Sequence, residues 1–272
     1  MSAVELSADN GSVWRVAQPQ ARDVIRSRWL TFYFVFFLVA TEGMIRFTGG
    51  DAKALLSMSN VVLFVVPFVT LVYGTVYVYG SREFIELLLA QPIRRSTLFA
   101  GLYMGLTIPL VIALVAGMSL PFIFHGFSGP AERMTLAVML GGTAALTAAF
   151  TAIAFYIALR FDDRLTGLGI GMAIWLALGL LYDGVLLFVV MLLPDRAIEK
   201  TLLGVTLANP IDLVRIALLM RFDVSAVMGY TGAVFHNFFS DGVGVAVIVT
   251  AMAAWITLPL ASGFLAFRRK DF

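Results

Sequence analysis

The chain contains no cysteine, which excludes disulfides, iron–sulfur clusters and thiolate metal sites. Its two histidines, His125 and His236, are too few for a histidine-built metal centre. Charge is scarce: Asp, Glu, Lys and Arg make up 13% of the 272 residues, against roughly 25% in soluble domains. A water-soluble helical bundle needs charged outer faces, and the long stretches here have none. There is no GxxxxGK[ST] phosphate loop, no HExxH and no GxSxG, so nucleotide binding, zinc proteolysis and serine hydrolysis have no motif to rest on. No region has the basic density or fold signature of a nucleic-acid binder.

What the chain does have is apolar length. It is 60% hydrophobic, with a mean hydropathy of +0.93. Runs long enough to cross a bilayer recur at roughly 29–47, 55–79, 98–123, 134–159, 166–193 and 243–265. The fold class is therefore an all-α polytopic membrane protein with six transmembrane helices. Pro67 predicts a kink in span two, and Tyr73, Tyr77 and Tyr79 mark its interfacial end. Span four is rich in small residues, among them Gly141, Gly142, Ala145 and Ala149, which permit close packing in lipid.

Residues 1–12, MSAVELSADNGS, are too polar for a signal peptide and are expected to be a disordered cytoplasmic tail, with an uncleaved first span following. In 13–28, Arg15, Arg22 and Arg26 share one side of a helix, and Val13, Ala17, Ala21, Val24 and Ile25 the other. That pattern predicts an amphipathic interfacial helix on an anionic leaflet, with Pro19 dividing it or opening its second half. Residues 29–265 form the six-span unit, and 266–272 a short cytoplasmic tail.

Between spans two and three lies a charged island, SREFIELLLAQPIRRS. On a helical wheel Arg82, Glu83, Glu86 and Ala90 fill one arc. Phe84, Ile85, Leu88 and Leu89 fill the other, with Leu87 at the border and Gln91 at the end. An Arg82–Glu86 pair is expected at i,i+4, and Pro92 is expected to stop the helix. Between spans five and six, ANPIDLVR is a helix start: Asn209 as N-cap, Pro210 as the first helical residue, Asp212 in the first turn. The helix it opens, within 209–221 and carrying Arg215, is too short to span, and lies on the membrane surface or dips in from one side.

Positive charge sets the orientation. Arg15, Arg22, Arg26, Arg28, Arg82, Arg94, Arg95, Arg160, Arg164, Arg268, Arg269 and Lys270 flank one side, more than the other side carries. The first side is assigned to the cytoplasm, with both termini and the charged island. The 194–240 segment then lies outside. Glu42 and Asp183 are the acids within or near spans, and such acids mark a translocation path or a subunit seam unless an interfacial partner satisfies them. The methionines are scattered and show no Cu(I)-binding cluster. No catalytic residue and no metal site are assigned.

LLLAQPIRRS, the N-terminal VWRVAQPQARDVIRSRW and the outer ANPIDLVR, taken in their six-span order, resemble the permease subunits of type-2 ABC exporters. The chain looks most like their nitrous-oxide-reductase maturation branch. The resemblance implies a homodimer in a bacterial inner membrane, docked on two copies of a cytoplasmic ABC ATPase that binds ATP and Mg. It also implies a coupling helix at 82–91 and a periplasmic β-helical partner for copper-centre assembly, with a sulfur- or copper-related cargo. Asn209, Pro210, Asp212 and Arg215 would form the surface beneath that partner. One departure is that YGSREFIELLL lacks the Gly-Thr pair of many members, which puts the fit to the ATPase groove in doubt. The residues also fit an exporter with unrelated cargo, or a membrane anchor without cargo flux. A membrane enzyme would need clustered polar groups at one depth, and a secondary transporter a repeat; neither is visible.

Overall fold

The computed structural model describes residues 3–91, 93–127, 129–185, 188, 204, 206–221 and 242–270. Pro92, His236 and most of 186–241 fall outside the described residues, as does the expected end of span five.

Nine helices are described: α1 Ala3–Ile25, α2 Arg28–Thr48, α3 Asp51–Gly80, α4 Arg82–Leu89, α5 Arg95–His125, α6 Pro130–Arg160, α7 Arg164–Leu176, α8 Pro210–Leu219 and α9 Gly242–Arg269. α7 passes through a π-helical turn, Ala177–Leu181, and continues to Val185. Six helices are long and apolar enough to cross a membrane: α2, α3, α5, α6, α7 with its extension, and α9. The six expected spans are therefore present. Most of the helices run a few residues beyond the apolar stretches, because backbone pairing continues past the point where hydropathy stops.

α3, α5 and α6 form the centre, with half or more of their most apolar stretches buried. α7 and α9 bury only 11% of theirs and leave most of their apolar surface outward, as lipid-facing helices do. α3 and α6 pack so closely that a Cβ on Gly74 would lie 2.8 Å from that of Ala154. Thr143, Thr147 and Thr151 on α6 are buried, and each hydroxyl donates to the carbonyl four residues back. Their polarity is thus absorbed by their own helix rather than facing an open channel.

α1 differs from its sequence reading in several respects. It runs as one helix through Pro19 and extends back to Ala3, into the stretch read as a tail. Its buried face is Val16, Ala17, Gln20 and Val24, while Ile25 is 56% exposed. That face packs along α5. Val16 sits on Gly101 and Gln20 on Gly105, where an added Cβ would come within 2.7 Å. These glycines form a GxxxG pair, GLYMG, whose missing side chains let α1 lie against the α5 backbone. Gln20 is buried because the Tyr77 hydroxyl donates to its Oε1 at 2.7 Å.

Candidate functional site

The first polar assembly surrounds the root of α4. α3 stops at Ser81, whose hydroxyl and amide both bond the Tyr77 carbonyl, and α4 starts at the next residue. An isolated helix of eight residues is marginal, so its packing must hold it. Ile85 supplies the anchor: it is 1% exposed, and faces Val78, Phe99, Leu102 and Phe267. Phe84, Leu88 and Leu89 are half-buried beside it. The expected apolar arc is the packed one.

Arg82 does not make the expected pair with Glu86. It turns back toward the α6–α7 turn, where its Nη2 donates to the Phe161 carbonyl at 3.3 Å and lies 3.8 Å from Asp162. Its guanidinium stacks 4.6 Å above the Tyr79 ring. The reason is desolvation: the exposed Glu86 offers a weak solvated partner, whereas half-buried carbonyls and a ring offer several contacts at once. The Tyr79 hydroxyl donates to Phe161 O at 2.8 Å and Asp163 O at 3.1 Å. From the opposite side Lys270 reaches Asp162 at 2.7 Å and the Leu159 carbonyl at 3.3 Å. Arg95 donates to the carbonyls of Phe267, Arg268 and Lys270, capping the end of α9. The starts or ends of α3, α4, α5, α6, α7 and α9 are thereby cross-braced. The Lys270 hydrogen bond and charge hold the Asp162 carboxyl below the usual carboxylate range, and the Thr166 hydroxyl and amide do the same for Asp163.

The outward face of α4 presents Glu83, Glu86, Leu87 and Ala90, followed by Gln91. Leu87 is 69% exposed. Of the basic residues singled out in sequence, Arg22, Arg26 and Arg28 are exposed, and Arg94 precedes α5 as its extended N-cap residue. Arg95 is built into the brace.

The second assembly lies where α8 meets α7, near the end of α7 that carries Asp183. Asn209 caps α8 as expected, its Oδ1 accepting the Ile211 amide at 3.0 Å. Its Nδ2 donates to the Leu178 carbonyl at 2.9 Å, inside the π-helical turn, and to Asp212 at 3.1 Å. Arg215 then joins Asp183 at 2.7 Å and Asp212 at 2.9 Å. The two acids that sequence reading kept apart share one guanidinium. Asp212 is 4% exposed, so Arg215 and Asn209 compensate a charge that water hardly reaches.

α8 does not lie on the surface. Pro210, Ile211, Asp212, Leu213, Val214, Ile216 and Leu218 are all buried. Val214 fills the space over Gly142, where a Cβ would meet it at 2.6 Å. Gly142 is about 18 Å along α6 from Pro130 at 1.5 Å per residue. The helix therefore dips in among α6, α7 and α9.

Glu42 belongs to a separate pair of contacts. Arg46 bonds it at 2.6 Å, and His125 Nδ1 lies 3.6 Å away while also facing the Pro121 carbonyl at 3.0 Å. These are the contacts of an acid satisfied near a helix end. Among the described residues no group of three or more His, Asp or Glu side chains could hold a metal ion.

Sequence reading missed Tyr79, Asp162, Lys270, Gln20 and the Gly101–Gly105 pair as structural partners. Only the last carries a local signal, the GxxxG spacing. The others depend on residues distant in the chain.

Six long apolar helices and a short amphipathic helix mounted at one end of the bundle define a polytopic membrane protein. Residues 14–272 match the family described as "ABC-2 family transporter protein", and the chain belongs to that family. ABC-2 permeases are non-catalytic subunits that dimerise and pair with a cytoplasmic ATPase, which carries out the hydrolysis. Over 284 residues the chain is 25% identical to the "Probable ABC transporter permease protein NosY" of Stutzerimonas stutzeri, covering 95% of this chain and 98% of that protein. It is likewise 25% identical over 276 residues to the protein of the same description from Pseudomonas aeruginosa PAO1, with the same coverage. The relationship to NosY-type permeases is distant but runs nearly the full length.

Proposed function

We propose that α4 is the coupling helix, and that its outward edge of Glu83, Glu86, Leu87 and Gln91 seats in a groove of the partner ATPase. The observation that carries this reading is the mounting of α4. Ile85 and Arg82 fix it to α3, to the α6–α7 turn and through that turn to the end of α9, while its acidic–apolar edge stays free of the bundle. A rigid knob on a braced base converts a push on one helix into movement of several spans. The α4 end faces the cytoplasm of a bacterial inner membrane by its excess of positive charge, with both termini on that side.

The likeness to NosY-type permeases supports a narrower reading: export or delivery of a sulfur- or copper-related species for maturation of the copper centres of nitrous oxide reductase. In that reading the outer side, with Asn209, Pro210, Asp212 and Arg215 stabilising α8, supports a periplasmic β-helical partner. An ABC-2 exporter with unrelated cargo is the second reading, which the low identity of 25% to NosY-type permeases favours.

Two experiments test these readings. Replacing Glu83 and Glu86 together by Ala should reduce ATPase co-purification and permease-stimulated ATP hydrolysis while leaving membrane insertion intact. Unchanged docking and unchanged stimulation would remove α4 from the coupling role. Affinity purification from native membranes in mild detergent tests the narrower reading: recovery of both an ATPase and a periplasmic β-helical protein supports it, and an ATPase alone favours unrelated cargo.

A further inference from the structure

At the α4 end of the bundle, α6 and α9 leave a cleft of about 480 Å³ between their last turns. Beside it the helices touch at Gly263, where a Cβ would sit 3.4 Å from the Tyr156 backbone, in contact with it. The inner wall is Tyr156, Leu159, Ser262 and Leu265; the outer rim is Arg160, Arg269 and Lys270. Asp162 is also on the rim, but Lys270 compensates it at 2.7 Å. Arg160 and Arg269 make no ion pair among the described residues, and both are exposed. From Ser262 to Arg269 the cleft runs about 10 Å along α9.

We propose that this cleft seats one anionic phospholipid of the leaflet at the α4 end, the cytoplasmic one by the distribution of positive charge. Its phosphate lies between Arg160 and Arg269, and an acyl chain lies against Leu159 and Leu265. The occupant follows from the two halves of the cleft. The rim carries positive charge beyond what Asp162 balances, which recruits an anion. Tyr156 and Leu265 lie about one turn, and Ser262 about two turns, inside the ends of membrane-spanning helices, with Leu159 in the last turn of α6, a depth that a soluble anion or a soluble protein does not share. A molecule with an anionic head and an apolar tail satisfies both. A lipid held there would bridge the ends of α6 and α9, next to the brace that supports α4.

The test is native mass spectrometry of the full-length chain, delipidated in detergent and titrated separately with phosphatidylglycerol, phosphatidylcholine and inorganic phosphate. The wild type should retain phosphatidylglycerol in preference to phosphatidylcholine. Two arginines near the surface, replaced in Arg160→Gln/Arg269→Gln, should weaken that binding about thirtyfold. Arg160→Lys/Arg269→Lys should retain most of it. Equal retention of both lipids by the wild type, or undiminished phosphatidylglycerol binding by the Gln variant, would overturn the assignment. Displacement of the lipid by an equal concentration of inorganic phosphate would make this a soluble-anion site and also overturn it. Loss of the ATPase partner from the Gln variant with lipid binding unchanged would make the cleft a protein contact instead.

Discussion

Replacing Arg82 by Met should loosen α4 locally without unfolding the bundle. Arg82 contributes a charge-assisted hydrogen bond to the Phe161 carbonyl at 3.3 Å and a stack on Tyr79 at 4.6 Å. For this partly exposed group the first is worth about 1 kcal/mol and the second about 0.5–1 kcal/mol. The Asp162 contact, 3.8 Å long and with the carboxylate 82% exposed, adds little. The sum is about 1.5–2 kcal/mol, or ten- to thirtyfold in the opening equilibrium of α4. Ile85 remains to hold the helix, so the change is partial. The assay is hydrogen exchange at the amides of 83–90 in the detergent-solubilised protein, where exchange by local opening follows that equilibrium. Amides in the middle of α3 and α6 should be unchanged. Arg82→Lys keeps the charge but loses the planar guanidinium, and should fall between Met and wild type. Unchanged exchange in α4 would refute the brace, and equal acceleration throughout the bundle would refute its local character.

Arg215→Met should destabilise the protein by about 3 kcal/mol, because it strands the buried Asp212, whereas Asp183→Asn should cost far less because Asp183 is half-exposed and Arg215 keeps Asp212. Thermal unfolding of the two variants in the same detergent distinguishes them. Gly105→Ala should push α1 off α5, since the new Cβ would lie 2.7 Å from Gln20 Cβ and 3.1 Å from a backbone carbonyl, costing about 1–3 kcal/mol. Faster hydrogen exchange along α1, with the middle of α3 and α6 unchanged, reports the separation. Asp162 is held charged to lower pH than usual, so its tie to Lys270 is fully present at neutral pH, persists through the ordinary carboxylate range near about 4, and is lost only as pH falls through the lowered value. Exchange at the α6–α7 turn should rise across that acid window in the wild type and lose that dependence in Asp162→Asn.

The span count, the apolar face of α4 and the Asn209–Pro210 helix start were legible in the sequence by itself. Each is a local property. Twenty apolar residues span a bilayer whatever surrounds them, period-3.6 patterning marks the side of a helix that is buried, and a cap bonds amides two or three residues away. The excess of basic residues at one set of helix ends was legible for the same reason. Tertiary structure alone decided which groups meet. Arg82 looks paired with Glu86 on a wheel, because a wheel contains only its own helix. The carbonyls and ring that outcompete Glu86 include groups of the α6–α7 turn, far along the chain. Gln20 reads as an ordinary polar position until Tyr77 and Gly105 enclose it. Asp183 and Asp212 read as separate acids until α8 dips between the spans and Arg215 joins them. Burial periodicity is written into neighbouring residues; the identity of a buried partner is set by how distant helices pack, and that depends on the whole fold at once.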